Sequence, residues 1–299
     1  MKYLLALCLL YHVSFAQKKC FSIVDSVTNL PVPYAAITCK GCLTGTYSDQ
    51  NGTVCVDFAG IDTIRIYSLS YKILFISASE INAAGQVKLL PNPIELNPVT
   101  VSKRKIHSIR LGPYYTNKLS IGQHVVNPNS ATLLAVYIPN TVGDAVISKL
   151  YYRLSPKKSE IATLFRCRIH LWDNVSMKPG NSILKHDEYI DIEPSQKKAE
   201  IDVTQYALKI PENGIWIGIE VVAYKDLKGG FVTINGGDFG DTVWGKRKTK
   251  ILTISPGYAV VPANDGHNSL TKFWNLPWRP LQTVSEKAKT FAFGLDVLQ

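Results

Sequence analysis

Two neighbouring segments near the start of the chain constrain the fold most. Residues 30–37 read Leu-Pro-Val-Pro-Tyr-Ala-Ala-Ile, so that two prolines precede an apolar run, and residues 49–52 read Asp-Gln-Asn-Gly. Proline is tolerated where a strand begins, and Asp, Asn and Gly favour tight turns. The two segments therefore predict strands of a small β-sandwich, and neither has the residue pattern of an active site.

Strand patterns dominate the rest of the chain. Apolar and polar residues alternate over residues 63–67, 165–171 and 291–297, and residues 215–222 form a continuous apolar run of the kind found in central strands. Helical periodicity is confined to two short segments, residues 79–84 and 203–208. We predict an all-β protein.

The N-terminus has the pattern of a secretory leader. Lys2 precedes an apolar run over residues 4–13, and Ser14 and Ala16 supply small residues at the expected cleavage positions. The run is shorter than the ~20 residues of a membrane-spanning helix, and no later segment is apolar over that length. We expect residues 1–16 to be a signal peptide and the protein to be exported without spanning a membrane. Its destination would be the periplasm, the outer-membrane surface or the medium.

Positive charge is concentrated in one short segment. The chain has a formal net charge of +10, and residues 102–118 hold five basic residues and no acidic ones. Basic groups interleaved with Tyr114 and Tyr115 also occur in nucleic-acid-binding segments, but an exported chain rarely meets nucleic acid. We therefore interpret residues 102–118 as a solvated basic linker and predict no nucleic-acid partner. The linker would separate domains over residues 17–101 and 119–299.

The first domain resembles a known family through motifs that follow one another in order. These are the segments 21–25, 30–37, 45–52, 68–72 and 96–101. Together they resemble the carboxypeptidase regulatory-like (transthyretin-like, peptidase-associated) domain of Gram-negative bacteria. The resemblance implies a seven-stranded β-sandwich over residues 17–101 that has no catalytic residues of its own.

The second domain gives a less specific resemblance. Residues 165–173, 201–206 and 211–220 resemble segments of a jelly-roll-type β-sandwich found beside such domains in exported bacterial proteins. Similar sandwiches often serve as carbohydrate-binding or assembly modules. This analogy is at the level of fold, which does not fix function.

Cysteine usage is consistent with export. Cys20, Cys39, Cys42 and Cys55 fall in the first domain, where we expect structural disulfides, although three pairings are possible. The Cys-x-x-Cys spacing of Cys39 and Cys42 also fits a redox or zinc pair, but it lies at the end of a predicted strand rather than at the start of a helix. Cys167 alternates with two arginines and is predicted to point into a core.

Aromatic residues near the C-terminus are the best candidates for ligand binding. Trp244, Tyr258, Trp274 and Trp278 lie close together in sequence among polar residues and could bind sugar rings, although packing in a core is the preferred interpretation of the cluster. No catalytic motif is found, the histidines are dispersed, and we predict no metal and no cofactor. The pair Asp238 and Asp241 would be the carboxylates of a hydrolase, but a solvated turn is the preferred interpretation.

These observations favour a non-catalytic, exported cell-envelope protein that acts as a binding or assembly module. Its partner would be an envelope protein or a glycan. One alternative is a carbohydrate-binding accessory of a polysaccharide-utilising system, and another is a cryptic hydrolase.

Overall fold

The structure is a computed structural model that describes residues 19–39, 42, 45–56, 61–92, 107–115, 122–124, 132–156, 158–234, 257–263, 268–281 and 289–299. Over these residues it contains 22 β-strands, one α-helix and two short 3₁₀ turns. The prediction of an all-β protein is confirmed. The helix and one of the 3₁₀ turns, Thr204–Tyr206, fall in the two short segments with helical periodicity.

The first unit contains seven strands. They are β1 (Lys19–Asp25), β2 (Ala36–Cys39), β3 (Gly45–Tyr47), β4 (Thr53–Val56), β5 (Thr63–Tyr67), β6 (Leu74–Ser77) and β7 (Gln86–Leu89). One sheet has the order β4–β1–β7 and the other the order β3–β2–β5–β6. Ile23 and Leu89 from the first sheet pack with Ile64 and Ile66 from the second in one buried cluster. The unit is therefore a sandwich held by alternating apolar residues.

The Asp-Gln-Asn-Gly segment forms the turn that carries the chain from one sheet to the other. The Asp49 carboxylate accepts hydrogen bonds from the backbone N–H groups of Asn51 (2.9 Å) and Thr53 (2.8 Å). Gly52 has φ 72°, and a Cβ there would lie 2.5 Å from the carbonyl oxygen of Ile23. Only glycine suits this position, because it adopts a positive φ without strain and leaves room for the neighbouring strand.

A single helix, α1 (Ala78–Ala84), carries the chain from β6 to β7. Ser77 and Glu80 form a capping box, in which each side chain accepts a hydrogen bond from the other residue's backbone N–H. Gly85 ends the helix in the left-handed conformation. This connection between the sheets allows β7 to pair parallel to β1.

The second unit contains fifteen strands in two larger sheets. They are β8 (Ser108–Leu111), β9 (Gly122–His124), β10 (Thr132–Ile138), β11 (Val146–Ser155), β12 (Ala162–Val175), β13 (Lys178–Ser182), β14 (Glu188–Ile192), β15 (Lys198–Asp202), β16 (Ile215–Asp226), β17 (Phe231–Thr233), β18 (Gly257–Pro262), β19 (Ser269–Phe273), β20 (Arg279–Pro280), β21 (Lys289–Phe291) and β22 (Phe293–Leu298). The eight-stranded sheet has the order β13–β12–β16–β10–β19–β20, with β14 beside β12 and β17 beside β16. The seven-stranded sheet has the order β21–β18–β11–β22–β8, with β15 beside β11 and β9 beside β18.

The main core lies between these two large sheets. Tyr152 and Phe293 from the seven-stranded sheet pack with Phe165 and Ile217 from the eight-stranded sheet, and all four are buried. The Tyr152 hydroxyl donates to the carbonyl oxygen of Gly218 across the core (3.2 Å). Cys167 is a free, fully buried cysteine in the same core, on the side that its alternation with arginine predicts.

The predicted basic linker is shorter than the sequence suggests. Ser108–Leu111 pairs antiparallel with β22, and Arg110 lies opposite Asp296, with Nε 4.0 Å from the carboxylate. Ile109 and Leu111 pack against the core of the second unit, so apolar burial draws this stretch into the sheet. The prediction of a linker is wrong for residues 108–111, and the second unit begins before residue 119.

The four cysteines proposed for disulfides form two bonds. Cys20 pairs with Cys55 directly across β1 and β4, and Cys39 pairs with Cys42 immediately after β2. This is one of the three possible pairings. Its two bonds join residues that are 35 and 3 positions apart in the sequence. The two bonds lie in different sheets of the first unit.

Candidate functional site

A cleft of about 270 Å³ lies between the two units. One wall is the outer surface of the sheet that contains β2 and β5. The opposite wall is the outer surface of the eight-stranded sheet, together with the loop that follows β19. Its principal polar and aromatic lining residues are Arg65, Arg168, His170, Trp172, Glu220, Lys272, Trp274 and Trp278.

Strand β12 builds the floor of the cleft from alternate residues. Because successive side chains of a strand point to opposite faces, Cys167, Ile169 and Leu171 enter the core while the residues between them face the first unit. Arg168, His170 and Trp172 are only 1%, 5% and 8% exposed. The first unit covers Arg168 through Tyr34 and Tyr47. Trp172 is buried against His170 and Trp278 of its own unit.

Arg168 is the centre of a buried charged cluster. Its Nε lies 3.2 Å from the Asp187 carboxylate, and its Nη1 lies 3.6 Å from that of Glu220. Burial alone would lower the pKa of Arg168, but the negative charges of Asp187 and Glu220 and the hydroxyl of Tyr189 outweigh it and raise the pKa well above its ordinary value. The guanidinium stays charged and joins the two carboxylates.

Glu220 lies directly opposite Arg168 in the pairing of β12 with β16. Its carboxylate accepts a short hydrogen bond from the Tyr47 hydroxyl of the first unit, and it lies 3.2 Å from Nε2 of His170. Burial alone would raise the pKa of Glu220, but the hydrogen bond and charge of His170, with the charge of Arg168 and the Tyr47 hydroxyl, lower it to about 2. Glu220 is therefore an ionised acceptor at neutral pH.

Tyr34 fastens the two units together at one end of this cluster. Arg168 donates a short hydrogen bond to its backbone carbonyl, and Arg166 donates to its hydroxyl at 3.0 Å. Tyr34 has φ 52°, an uncommon backbone conformation for a residue with a side chain. Tyr34 directly follows the second of the two prolines, and both its backbone and its side chain contact the second unit.

Tryptophan residues form the other side of the cleft. Trp172 stacks on the His170 ring (4.8 Å between centroids, 7° between planes) and meets Trp278 edge-on (5.6 Å, 81°). Gly218, on the adjacent strand, makes room for this arrangement, since a Cβ there would lie 2.5 Å from the Trp172 ring. Trp274 packs against Tyr47 of the first unit, with ring centroids 5.0 Å apart. The three tryptophans that line the cleft all belong to the second unit, and Tyr47 contacts Trp274 from the first.

The loop after β19 is held against the Cys39–Cys42 disulfide. Asn275 donates from its side-chain amide to the carbonyl oxygens of Cys39 (3.2 Å) and Cys42 (3.4 Å). Trp274, the preceding residue, has φ 39°. The orientation of the tryptophan loop therefore depends on backbone groups of the first unit.

Two further cations line the cleft without entering the charged cluster. Arg65 extends from β5 and lies 5.6 Å from the centre of the Tyr67 ring, and its Nη1 is 3.5 Å from the Asn275 side-chain oxygen. Lys272 extends from β19, with its Nζ 5.8 Å from the centre of the Trp278 ring. Burial and, next, the charge of Arg65 lower the pKa of Lys272.

The four aromatic residues that the sequence suggests for ligand binding differ in where they lie. Trp274 and Trp278 both line the cleft. Tyr258 does not, because it is 1% exposed and packs edge-on against Phe293 inside the core, so its assignment as a ligand-binding residue is wrong. Trp244, and the alternative catalytic pair Asp238 and Asp241, lie outside the described residues.

Sequence reasoning missed the charged part of the site. Arg65, Arg168 and Lys272 lie on alternating strands, where polar residues normally face solvent. A signal was nevertheless present in β12, because every second residue from Arg166 to Trp172 is a cation or an aromatic ring. The sequence does not reveal that this face is covered by another unit.

No family model matches the chain, and no curated protein and no solved structure matches it. The resemblances to a carboxypeptidase regulatory-like domain and to a jelly roll therefore remain predictions.

Within the described ranges, no three or more His, Cys, Asp or Glu side chains converge in a way that could hold a metal ion. Among the same residues, no helix is long and apolar enough to cross a membrane.

Proposed function

We propose that this chain is a non-catalytic, exported binding protein of the cell envelope and that the cleft between its two units holds a saccharide. The observation that carries the proposal is the convergence of Trp172, Trp274 and Trp278 with polar side chains in one concave site. Small-molecule sites combine aromatic surface with a few polar groups that fix orientation.

The size of the cleft favours a glycan over a folded protein partner. A volume of about 270 Å³ lies just below the roughly 300–1,000 Å³ typical of small-molecule sites. It suits about one sugar ring, with the rest of a longer chain lying in solvent. A folded envelope protein would need a broad and flatter surface, since stable protein interfaces bury roughly 800 Å² on each partner.

The electrostatics of the site favour binding over proton transfer. Among the described residues, Glu220 is the one carboxylate that lines the cleft, and its pKa of about 2 keeps it from acting as a general acid near neutral pH. The Glu220 carboxylate already forms hydrogen bonds with Tyr47 and His170 and an ion pair with Arg168. Hydrolysis of a glycosidic bond ordinarily uses a pair of carboxylates on either side of the bond, and Glu220 is instead a structural acceptor.

Export is the other part of the proposal. Two disulfides in a unit of this size are typical of proteins that fold in oxidising compartments. The leader-like pattern of residues 1–16 supports the same proposal.

A glycan array followed by titration calorimetry tests the proposal. The tryptophan variant Trp278→Ala should abolish array signals, because it removes an aromatic wall of the cleft whose own contacts are with Trp172 and Lys272. The matched control is Tyr114→Ala, which removes an aromatic side chain that packs at a tilt against Tyr151 of the seven-stranded sheet, away from the cleft. Signals that survive Trp278→Ala, or that Tyr114→Ala removes equally, would contradict binding in the cleft.

A further inference from the structure

We propose that the saccharide carries a negative charge, as a carboxylate or a sulfate group, and that Arg65 and Lys272 recognise it. This inference rests on the proposed function, because it names the chemistry of the ligand in the same cleft. The two residues come from different units, so the recognition site exists only where the units meet.

The first observation is that neither cation has an acidic partner in the part of the chain that the structure describes. Among the described residues, no carboxylate lies within 4.0 Å of the Arg65 guanidinium or the Lys272 ammonium. Both side chains are partly buried in the cleft rather than extended into solvent. Partial burial of a cation costs free energy unless an opposite charge compensates it.

The second observation is that the two cations lie near each other. Both side chains line the same cleft of about 270 Å³. Burial and, next, the charge of Arg65 lower the pKa of Lys272. Like charges that share a concave, partly dehydrated site repel one another, and a bound anion relieves this repulsion. The titratable groups that face them from the second unit are Arg168, His170 and Glu220.

The third observation is that Glu220 offsets the two cations only in part, because its charge raises the pKa of Lys272 but its carboxylate pairs with neither Arg65 nor Lys272. Its carboxylate is already engaged by Arg168, His170 and Tyr47. Arg168 in turn is paired with Asp187 and Glu220. The buried cluster therefore holds one cation and two carboxylates, and when Arg65 and Lys272 are added these side chains leave one excess positive charge at the cleft.

Neighbouring side chains orient Arg65 and Lys272 within the cleft. The side-chain oxygen of Asn275 lies beside the Arg65 guanidinium, and Lys272 lies over the Trp278 ring. An aromatic ring holds a nearby ammonium without cancelling its charge. A sugar ring near Trp278 would bring an acidic substituent within reach of both cations.

Glycans of three kinds test the inference on one array: neutral oligosaccharides, oligosaccharides of uronic acids and sulfated oligosaccharides. The expected result is binding confined to acidic probes, with affinity that falls as sodium chloride is raised. Preference for uronates or for sulfated sugars then identifies which anion is the ligand. Arg65→Gln and Lys272→Met should each weaken binding of the acidic probe at least tenfold.

The control is Lys228→Met, which removes an exposed lysine from the turn between β16 and β17 and should leave affinity unchanged. Lys272→Arg keeps the charge and should retain most of the affinity lost in Lys272→Met. Thermal melts of each variant exclude unfolding as the cause of lost binding.

The outcomes separate the two proposals. Neutral glycans that bind as tightly as acidic ones, with Arg65→Gln harmless and Trp278→Ala damaging, would overturn the charge inference and leave the binding function standing. Absence of binding by every probe class, or binding that is insensitive to Trp278→Ala, would overturn both.

Discussion

The Tyr47 hydroxyl of the first unit donates a short hydrogen bond to the Glu220 carboxylate of the second unit. Tyr47 is 1% exposed, and burial, followed by the charge of Glu220, raises its pKa well above the ordinary value. The tyrosine therefore stays protonated and remains a donor at any physiological pH. This contact joins the wall of one sandwich to the charged centre of the other.

Removal of this hydroxyl should destabilise the protein. Tyr47→Phe leaves part of a buried carboxylate without its donor, which costs about 1–3 kcal/mol in the free energy of unfolding. Urea unfolding measures the loss. Tyr137→Phe is the matched control, because its hydroxyl donates to the carbonyl oxygen of Asn213 at an exposed position and should cost less. Equal losses in the two variants would contradict a special role for the Tyr47 contact.

Stability should fall in acid through Glu220. Its folded pKa is about 2, below the unfolded value of about 4.3. A depressed carboxylate pKa stabilises the fold above the unfolded pKa, and this contribution is lost as pH falls from about 4.3 towards 2. The contribution is of the order of 3 kcal/mol.

Urea unfolding of Glu220→Gln at pH 7, 4.5 and 3 measures this dependence. The variant should be less stable than the parent at pH 7, and the difference should narrow towards pH 3. A constant difference across the three pH values would show that ionisation of Glu220 is not the cause.

Two arginines of one strand should differ sharply in their contribution to stability. Arg168→Met leaves Asp187 and Glu220 without their shared cation, and removal of one partner from a buried ion pair costs about 3–5 kcal/mol. Arg166→Met removes a more exposed pair with Asp191 and the hydrogen bond to the Tyr34 hydroxyl, and should cost about 1–2 kcal/mol. Chemical denaturation of both variants makes the comparison, and similar losses would argue against burial as the deciding factor.

The two disulfides should have separable effects. In the chain-entropy model, loss of Cys20–Cys55, with a sequence separation of 35, costs about 4 kcal/mol. Loss of Cys39–Cys42, with a separation of 3, costs about 1.5 kcal/mol by the same relation. The short bond, however, holds the backbone to which Asn275 donates, so its double serine variant should lower ligand affinity several-fold.

The double variant Cys20→Ser with Cys55→Ser serves as the comparison, because that bond lies in the sheet that does not line the cleft. Loss of Cys20–Cys55 should lower the melting temperature more than loss of Cys39–Cys42 does. The folded protein that remains should bind the ligand with unchanged affinity. Equal loss of affinity in both double variants would refute the proposed link between the short disulfide and the tryptophan loop.

Local patterns predict much of the fold. Proline placement and the Asp-Gln-Asn-Gly turn identify β2 to β4, and period-two alternation identifies β5 and β12, because these signals act within a few residues. The same patterns fail at β8, where the charges of residues 102–118 suggest a linker. Pairing with β22 joins residues nearly two hundred positions apart, which no local signal records.

The candidate site is only partly visible in the sequence for the same reason. Trp274 and Trp278 are recognisable from composition, but Tyr258 has the same appearance and lies in the core. Arg65 and Lys272 are separated by more than two hundred residues, and only the packing of one sandwich against the other brings them into one cleft. Whether a charged residue on a strand faces solvent or lines a site therefore depends on which surface packs opposite it.

The contacts of Tyr34 and Tyr47 with the second unit bear on how quickly a ligand is captured. Because hydrogen bonds to Arg168 and Glu220 hold the two walls together, the cleft is assembled when the chain folds, before any ligand arrives. Association then needs no closure of the cleft. The observed rate of association should therefore rise linearly with ligand concentration and show no plateau. Because the site is preformed, little of the binding free energy would be spent on rearranging the protein.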